Sequence, residues 1–317
     1  MGKILTNTMM TKNTFVREPS CDARRERRIT FWAVVVYICI SIIWGINFPL
    51  MKIAFSQISP MAFNIIRFGV ASISLIIIML IWEGWQRIPL KHWILLAIQG
   101  FFHVFLYQLL FINNLSFTSS GIAAVLTSTT PLWTAFLVWS FKVEKINGWI
   151  VSGAIVGFLG VVMVIGGGMR SLVLSTASKS ELVMLLSAVV WSLGTIITKK
   201  LLVHYSPLRI IALMMPIGYL GTIIAGLPST LHQDWYAISG KIWAIIIFST
   251  FFAVTAGYSC WSWAVQRIGA TRTSVVGNLA PVVAFIAAFI ISGEQVSIIQ
   301  IIGSAVILAG IWFCKRG

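Results

Sequence analysis

The sequence predicts an all-α membrane protein: ten transmembrane helices arranged as two inverted five-helix repeats. Three observations carry that prediction. The first is composition. Hydrophobic residues make up 58% of the chain, charged residues 10%, and the mean hydropathy is +0.94. That leaves too few charges to clothe a soluble domain. The second is duplication. Trp44, Lys52 and Ser59-Pro60 recur 147 residues later as Trp191, Lys199 and Ser206-Pro207. Trp93, Phe101-Phe102, Pro131, Glu144, Gly153 and Gly160 recur 150 residues later as Trp243, Phe251-Phe252, Pro281, Glu294, Gly303 and Gly310. One register with a single slip is hard to reach by chance, and a long repeat in an apolar chain marks transporter architecture. The third is the placement of basic residues, which sit in the connections between apolar runs.

The elements follow in order. Residues 1–30 are polar and end in Arg24-Arg25-Glu26-Arg27-Arg28. They read as a cytoplasmic N-terminal tail, and Glu18, Asp22 and Glu26 argue against an organellar transit peptide. Apolar runs follow at 31–51, 60–82, 92–112, 120–141 and 147–167, the first repeat (31–167). The second repeat (180–314) supplies 180–201, 207–228, 241–264, 272–293 and 297–314. Each run is near the roughly 20 residues that a helix needs to cross a bilayer. The joint runs from Gly166-Gly167-Gly168 to Lys179, and its glycines stop a helix.

With the N-terminus inside, the cytoplasmic side receives the tail cluster, Arg87, Lys91, Lys142, Lys145, Lys199, Lys200, Arg209, Arg267, Arg272, Lys315 and Arg316. The outer side receives only Lys52, Arg170, Lys179 and Lys241. This bias predicts a multi-pass protein of the plasma (inner) membrane with both termini cytoplasmic. An odd number of spans per repeat then inverts the second copy, which gives inward-open and outward-open states of similar energy. The net charge of +15 is explained by these connections and not by nucleic acid. Cys21, Cys39, Cys260 and Cys314 have neither metal-ligand nor CxxC spacing, so no metal or cofactor is expected.

Polar side chains inside lipid face protein or water, so shared helix faces point to a pathway. Trp44, Asn47, Phe48 and Met51 share one face of the first run; Ser187, Trp191, Gly194, Thr195 and Thr198 share one of the sixth. Gln99, His103, Tyr107 and Asn114 form a stripe on the third, and Thr255, Tyr258, Ser259, Ser262 and Gln266 one on the eighth. Each stripe is either pathway lining or interhelical hydrogen-bond glue. Arg67 lies about 10 Å into the second run, on a face with Asn64, Ala71 and Ser74. It reads as a dock for a substrate carboxylate or as a structural cation. His103 is either a proton shuttle or a hydrogen-bonding residue. Pro131 and Pro281 kink the fourth and ninth runs, as hinges or as plain bends. Glu144 and Glu294 fall at run ends, as caps or partners for nearby cations. Gly153, Gly157, Gly160, Gly303 and Gly310 offer close helix contact, inside the bundle or at the seam of a homodimer.

Trp44-Gly45-Ile46-Asn47-Phe48, followed by Lys52, Ser59-Pro60 and Arg67, resembles the opening of the EamA domain of the drug/metabolite transporter superfamily. Thr130-Pro131 with Glu144 and Gly153, and Ala280-Pro281 with Glu294, Gly303 and Gly310, resemble the closing parts of its two copies. The resemblance covers about residues 31–314. It implies ten helices, both termini inside, a central cavity and, frequently, export of amino acids or related metabolites. The second copy departs from it: Met214 stands where Arg67 would recur, and Gly194 where Asn47 would.

The residues therefore predict a secondary transporter for a small-molecule substrate in the lipid bilayer, probing an amphipathic solute with Trp44, Asn47, Phe48, Arg67, His103, Tyr107, Trp191 and Tyr258. A multidrug or nucleotide-linked-metabolite carrier, or an importer, is the alternative within transport. A membrane enzyme needs a nucleophile–base pair or a metal cluster, and the sequence has no HExxH, GxSxG or P-loop.

Overall fold

A computed structural model describes residues 19–118, 120–143, 147–168, 176–293 and 297–316, and these are helical throughout apart from short connections. The N-terminal tail before residue 19, Glu144, Lys145, Arg170 and Glu294 lie outside the described residues. The helices are α1 (Pro19–Ala54), α2 (Pro60–Glu83), α3 (Leu90–Gly100), α4 (Tyr107–Leu115), α5 (Ser120–Thr127), α6 (Thr130–Ser140) and α7 (Gly148–Gly168). They continue as α8 (Thr176–Leu201), α9 (Pro207–Leu231), α10 (Gly240–Phe248), α11 (Gly257–Ile268), α12 (Ala270–Gly277), α13 (Leu279–Ser292) and α14 (Ile298–Arg316). Two π-helical stretches, Phe101–Leu106 and Ser249–Ala256, join α3 to α4 and α10 to α11 without a break.

Among the described residues, seven helices are long and apolar enough to cross a membrane by length and composition: Arg25–Ala54, Pro60–Glu83, Leu90–Leu115, Lys179–Leu201, Pro207–Leu231, Gly240–Ile268 and Ala270–Ile291. Gly148–Gly160 and Ile298–Gly310 are shorter apolar stretches. The outer surface carries large exposed apolar side chains, among them Ile81, Trp82, Ile224 and Ile290. Lipid is the solvent that suits such a skin.

Local chemistry sets the helix boundaries. Ser59 sits in an extended conformation before α2 and its Oγ accepts the Ala62 N–H, while Pro60 occupies the first turn. Ser206 and Pro207 start α9 in the same way, with Oγ accepting the Arg209 N–H at 3.1 Å. A serine cap and a proline with no N–H to leave orphaned are a matched pair at a helix start.

The fourth apolar run is not one bent helix. It divides into α5 and α6 around Ser128 and Thr129. Pro131 has no N–H for the carbonyl four residues back, Thr127 O. The Thr130 hydroxyl donates to that carbonyl instead. The ninth run divides at Asn278, between α12 and α13, three residues before Pro281.

α2 lies along α9, and α7 along α14. α1 packs on α11 and α13, while α8 packs on α3, α4, α5 and α6. Glycine permits the closest approach: a Cβ on Gly160 would stand 2.6 Å from Gly303 O, and one on Gly310 2.6 Å from Gly153 O. Gly160 of α7 and Gly310 of α14 are thus spent on contact within the chain.

Candidate functional site

The faces of α1, α2, α4, α8 and α11 converge on a cavity of about 130 Å³. Of the eight residues expected from the sequence to meet substrate, Trp44, Asn47, Phe48, Arg67, Tyr107, Trp191 and Tyr258 line it. So do Pro281 and the helix breaks at Thr127–Thr130 and Gly277–Asn278. His103 and Pro131 are not on its wall.

The wall is largely aromatic. The Trp44 ring meets Trp191 edge-on at 6.0 Å and Tyr258 at 6.5 Å; Trp191 lies 5.4 Å from Tyr258 and 4.8 Å from Tyr107. Edge-to-face contact of this kind holds ring orientation as well as burying area. His103 is fully buried behind Trp191, with ring centroids 4.5 Å apart, and its Nε2 lies 3.0 Å from Trp191 O. It meets the cavity through that tryptophan and through Trp261, whose ring lies 5.0 Å from its own and lines the wall.

Arg67 is 3% exposed and crosses to the other half of the chain. Its guanidinium donates to Ser249 Oγ at 2.9 Å, Asn64 Oδ1 at 2.7 Å, Gln108 Oε1 at 3.1 Å and Met51 Sδ at 3.2 Å. Phe63 and Phe68 flank it, at 5.2 and 5.1 Å from the ring centroids. Every partner is neutral, and among the described residues the guanidinium has no carboxylate. Its Nε has no acceptor. A buried cation hydrogen-bonded to neutral groups keeps its full charge, and a low-dielectric wall strengthens its pull on an anion. Snorkelling to the surface is excluded by its burial.

Gln108 ties this cation to the aromatic wall: its Oε1 accepts from Arg67 and its Nε2 donates to Tyr258 Oη at 3.2 Å. Sequence reading passed over Gln108, and also Tyr37, Trp261 and Ser249. The π turn is the reason. The expected α-helical stripe ran from Gln99 and His103 through Tyr107 to Asn114, but the inserted residue of a π turn rotates the rest of the helix by about 100°. Beyond it, Gln108, Phe111, Ile112 and Leu115 are buried, while Asn114 turns back to its own helix and donates to Leu110 O. Thr255, Tyr258 and Ser262 are buried as the eighth stripe predicted, and Ser259 bonds Thr255 O.

The two halves of the wall are not copies. Gly194, in place of the asparagine at residue 47, leaves room for the His103 ring: a Cβ there would meet Nε2 at 2.7 Å. Residue 253, which corresponds to His103, is alanine. Met214 stands at the position that corresponds to Arg67, and Gln99 Nε2 bonds Thr198 Oγ1 at 2.7 Å. Those two residues correspond to Ser249 and Met51, the partners of Arg67. The polar centre therefore lies on one side of the cavity.

Comparison with known proteins decides the family. The EamA-like transporter family matches twice, over residues 31–166 and 178–315. The chain belongs to that family. Its relatives include "Uncharacterized transporter YyaM" of Bacillus subtilis (strain 168), 28% identical over 273 residues that cover 86% of this chain and 89% of that protein. An "Uncharacterized transporter" of Archaeoglobus fulgidus is 29% identical over 282 residues, covering 86% and 95%. A solved crystal structure superposes with a TM-score of 0.70 at 16% identity, covering 89% of this chain and 98% of that one; at that identity it speaks for the fold alone. This EamA-like protein is a multi-pass membrane transporter and not an enzyme.

Proposed function

We propose that this EamA-like protein is a secondary transporter that exports small amphipathic carboxylates, amino acids above all, across the plasma membrane by alternating access. In this reading ten helices form two inverted five-helix repeats with both termini cytoplasmic. The doubled Ser-Pro caps, the doubled proline breaks and the doubled π turns support the repeat.

One observation carries the substrate class: a charged Arg67, with no carboxylate partner among the described residues, stands on the wall of an aromatic cavity. Its cation takes the carboxylate, Trp44, Phe48, Tyr107, Trp191 and Tyr258 take the apolar part, and their ring faces attract its ammonium. Asn47 adds a polar contact. His103 acts through Trp191, whose carbonyl it holds. The helix breaks before Pro131 and Pro281 act as hinges.

The test is flux by the purified protein in liposomes across a panel of amino acids and organic acids. We expect saturable flux of at least one carboxylate, reduced more than tenfold in Arg67→Gln. Absence of flux for the whole panel sinks the reading.

A further inference from the structure

Each π turn leaves one carbonyl without its helical partner. The wide bonds run from Tyr107 N–H to Phe102 O and from Gly257 N–H to Phe252 O, and the next carbonyl in each turn belongs to His103 or Ala253. These two residues correspond in the repeat, 150 positions apart. Both carbonyls accept from side chains of the cavity wall. Ala253 O takes the Trp44 indole N–H at 2.8 Å, and His103 O takes the Tyr258 hydroxyl at 3.3 Å.

The donors break the symmetry. Trp191 corresponds to Trp44, yet its indole N–H makes no hydrogen bond with the described residues, although its ring lies against His103. Gln108 corresponds to Tyr258, yet it donates to Tyr258 and not to a π-turn carbonyl. One tryptophan of the pair is latched and the other is not.

We infer that Trp44 and Trp191 are a reciprocal pair of positioning residues for transport, each latching the π-turn carbonyl of the opposite half, one at a time. The inference rests on the inverted-repeat carrier reading. When two inverted halves exchange conformations, each takes the contacts the other had. In the exchanged state the Trp191 N–H donates to His103 O, Trp44 releases Ala253 O, and Gln108 donates to Ala253 O in place of Tyr258. Gln108 and Tyr258 correspond to each other, so their bond is kept with its donor reversed: the Tyr258 hydroxyl donates to Gln108 Oε1, which alters the hold of that oxygen on Arg67. The latches thereby couple the cavity's open side to the setting of its cation.

The test needs no known substrate. Ala124 and Ser274 correspond in the repeat and both line the cavity. Each is replaced by cysteine in a chain whose native cysteines are removed, and the rate of alkylation by a membrane-impermeant maleimide is measured in vesicles. Trp44→Phe removes a bond of the present conformation and should shift the ratio of the two rates about two- to tenfold, the range of one hydrogen bond. Trp191→Phe should shift it in the opposite direction. Tyr258→Phe, which frees His103 O, should move it the same way as Trp44→Phe. A shift of both tryptophan variants in one direction, a joint rise of both rates or an unmoved ratio overturns the inference. Reciprocal shifts in a protein that moves no solute of the liposome panel overturn the carrier reading alone.

Discussion

The imidazole of His103 occupies the space that Gly194 leaves open, with Nε2 at 2.7 Å from where a Cβ would sit. Gly194→Ala should therefore push the ring against Trp191 and Trp261, its neighbours at 4.5 and 5.0 Å. Overpacking of this kind costs about 1–3 kcal/mol. Thermal unfolding in detergent reads the loss, and the double variant with His103→Ala should recover part of it. Equal stability of Gly194→Ala and the parent would contradict the packing.

Arg67→Met separates stability from function. Methionine already stands at the corresponding Met214, which is fully buried. Removing the guanidinium spares its desolvation but leaves Asn64 Oδ1 and Ser249 Oγ without this donor, and a buried acceptor left unsatisfied costs about 1–3 kcal/mol. We expect a loss of stability of about 1–3 kcal/mol, together with loss of flux. A large fall in stability with flux intact would reverse the assignment and make Arg67 purely structural.

Pro131→Ala should return an N–H to Thr127 O and fuse α5 to α6. The helix gains a bond and loses a steric clash, so the unfolding temperature should hold or rise. Flux should fall about tenfold if the break is a hinge, as expected when rigidity is gained at a moving site. Unchanged flux would leave the proline a plain bend.

Glu83→Gln tests the tie between the end of α2 and the start of α9. Glu83 accepts both from Arg209 Nε at 3.2 Å and from the Ser206 hydroxyl at 2.6 Å, and the two charged side chains are 23% and 8% exposed. Arg209 also bonds the Glu83 and Gly84 carbonyls and Gln86. Those remaining acceptors limit the cost to about 1–2 kcal/mol. Chemical denaturation should show it, and Ser206→Ala in the Glu83→Gln background should cost less than Ser206→Ala alone, because the two share one network while the α9 cap is lost in both cases. Full additivity would mean that they act separately.

Most of the cavity wall was legible in the sequence. Trp44, Asn47, Phe48 and Met51 share a face at α-helical spacing, and α1 keeps that spacing through them. Arg67 was visible as a cation too deep for the surface, but its partner Ser249 was not, because the two lie 182 residues apart. Gln108 and the outward turn of Asn114 were hidden by a π turn that no residue in Phe101–Leu106 announces. His103 was read as a wall residue because its stripe points inward; Trp191 stands in front of it.

By itself the sequence determined what depends on near neighbours along the chain: apolar stretches, serine-proline helix starts, breaks before prolines, and a duplicated order that places both sets alike. Tertiary packing decided which side chain of each inward face reaches the cavity, that Arg67 is met by neutral groups among the described residues, and which tryptophan holds a π-turn carbonyl. The physical reason is reach. Helix propensity and a missing N–H act within about four residues, whereas burial, ring contact and the fate of a freed carbonyl are settled by helices more than 100 residues away.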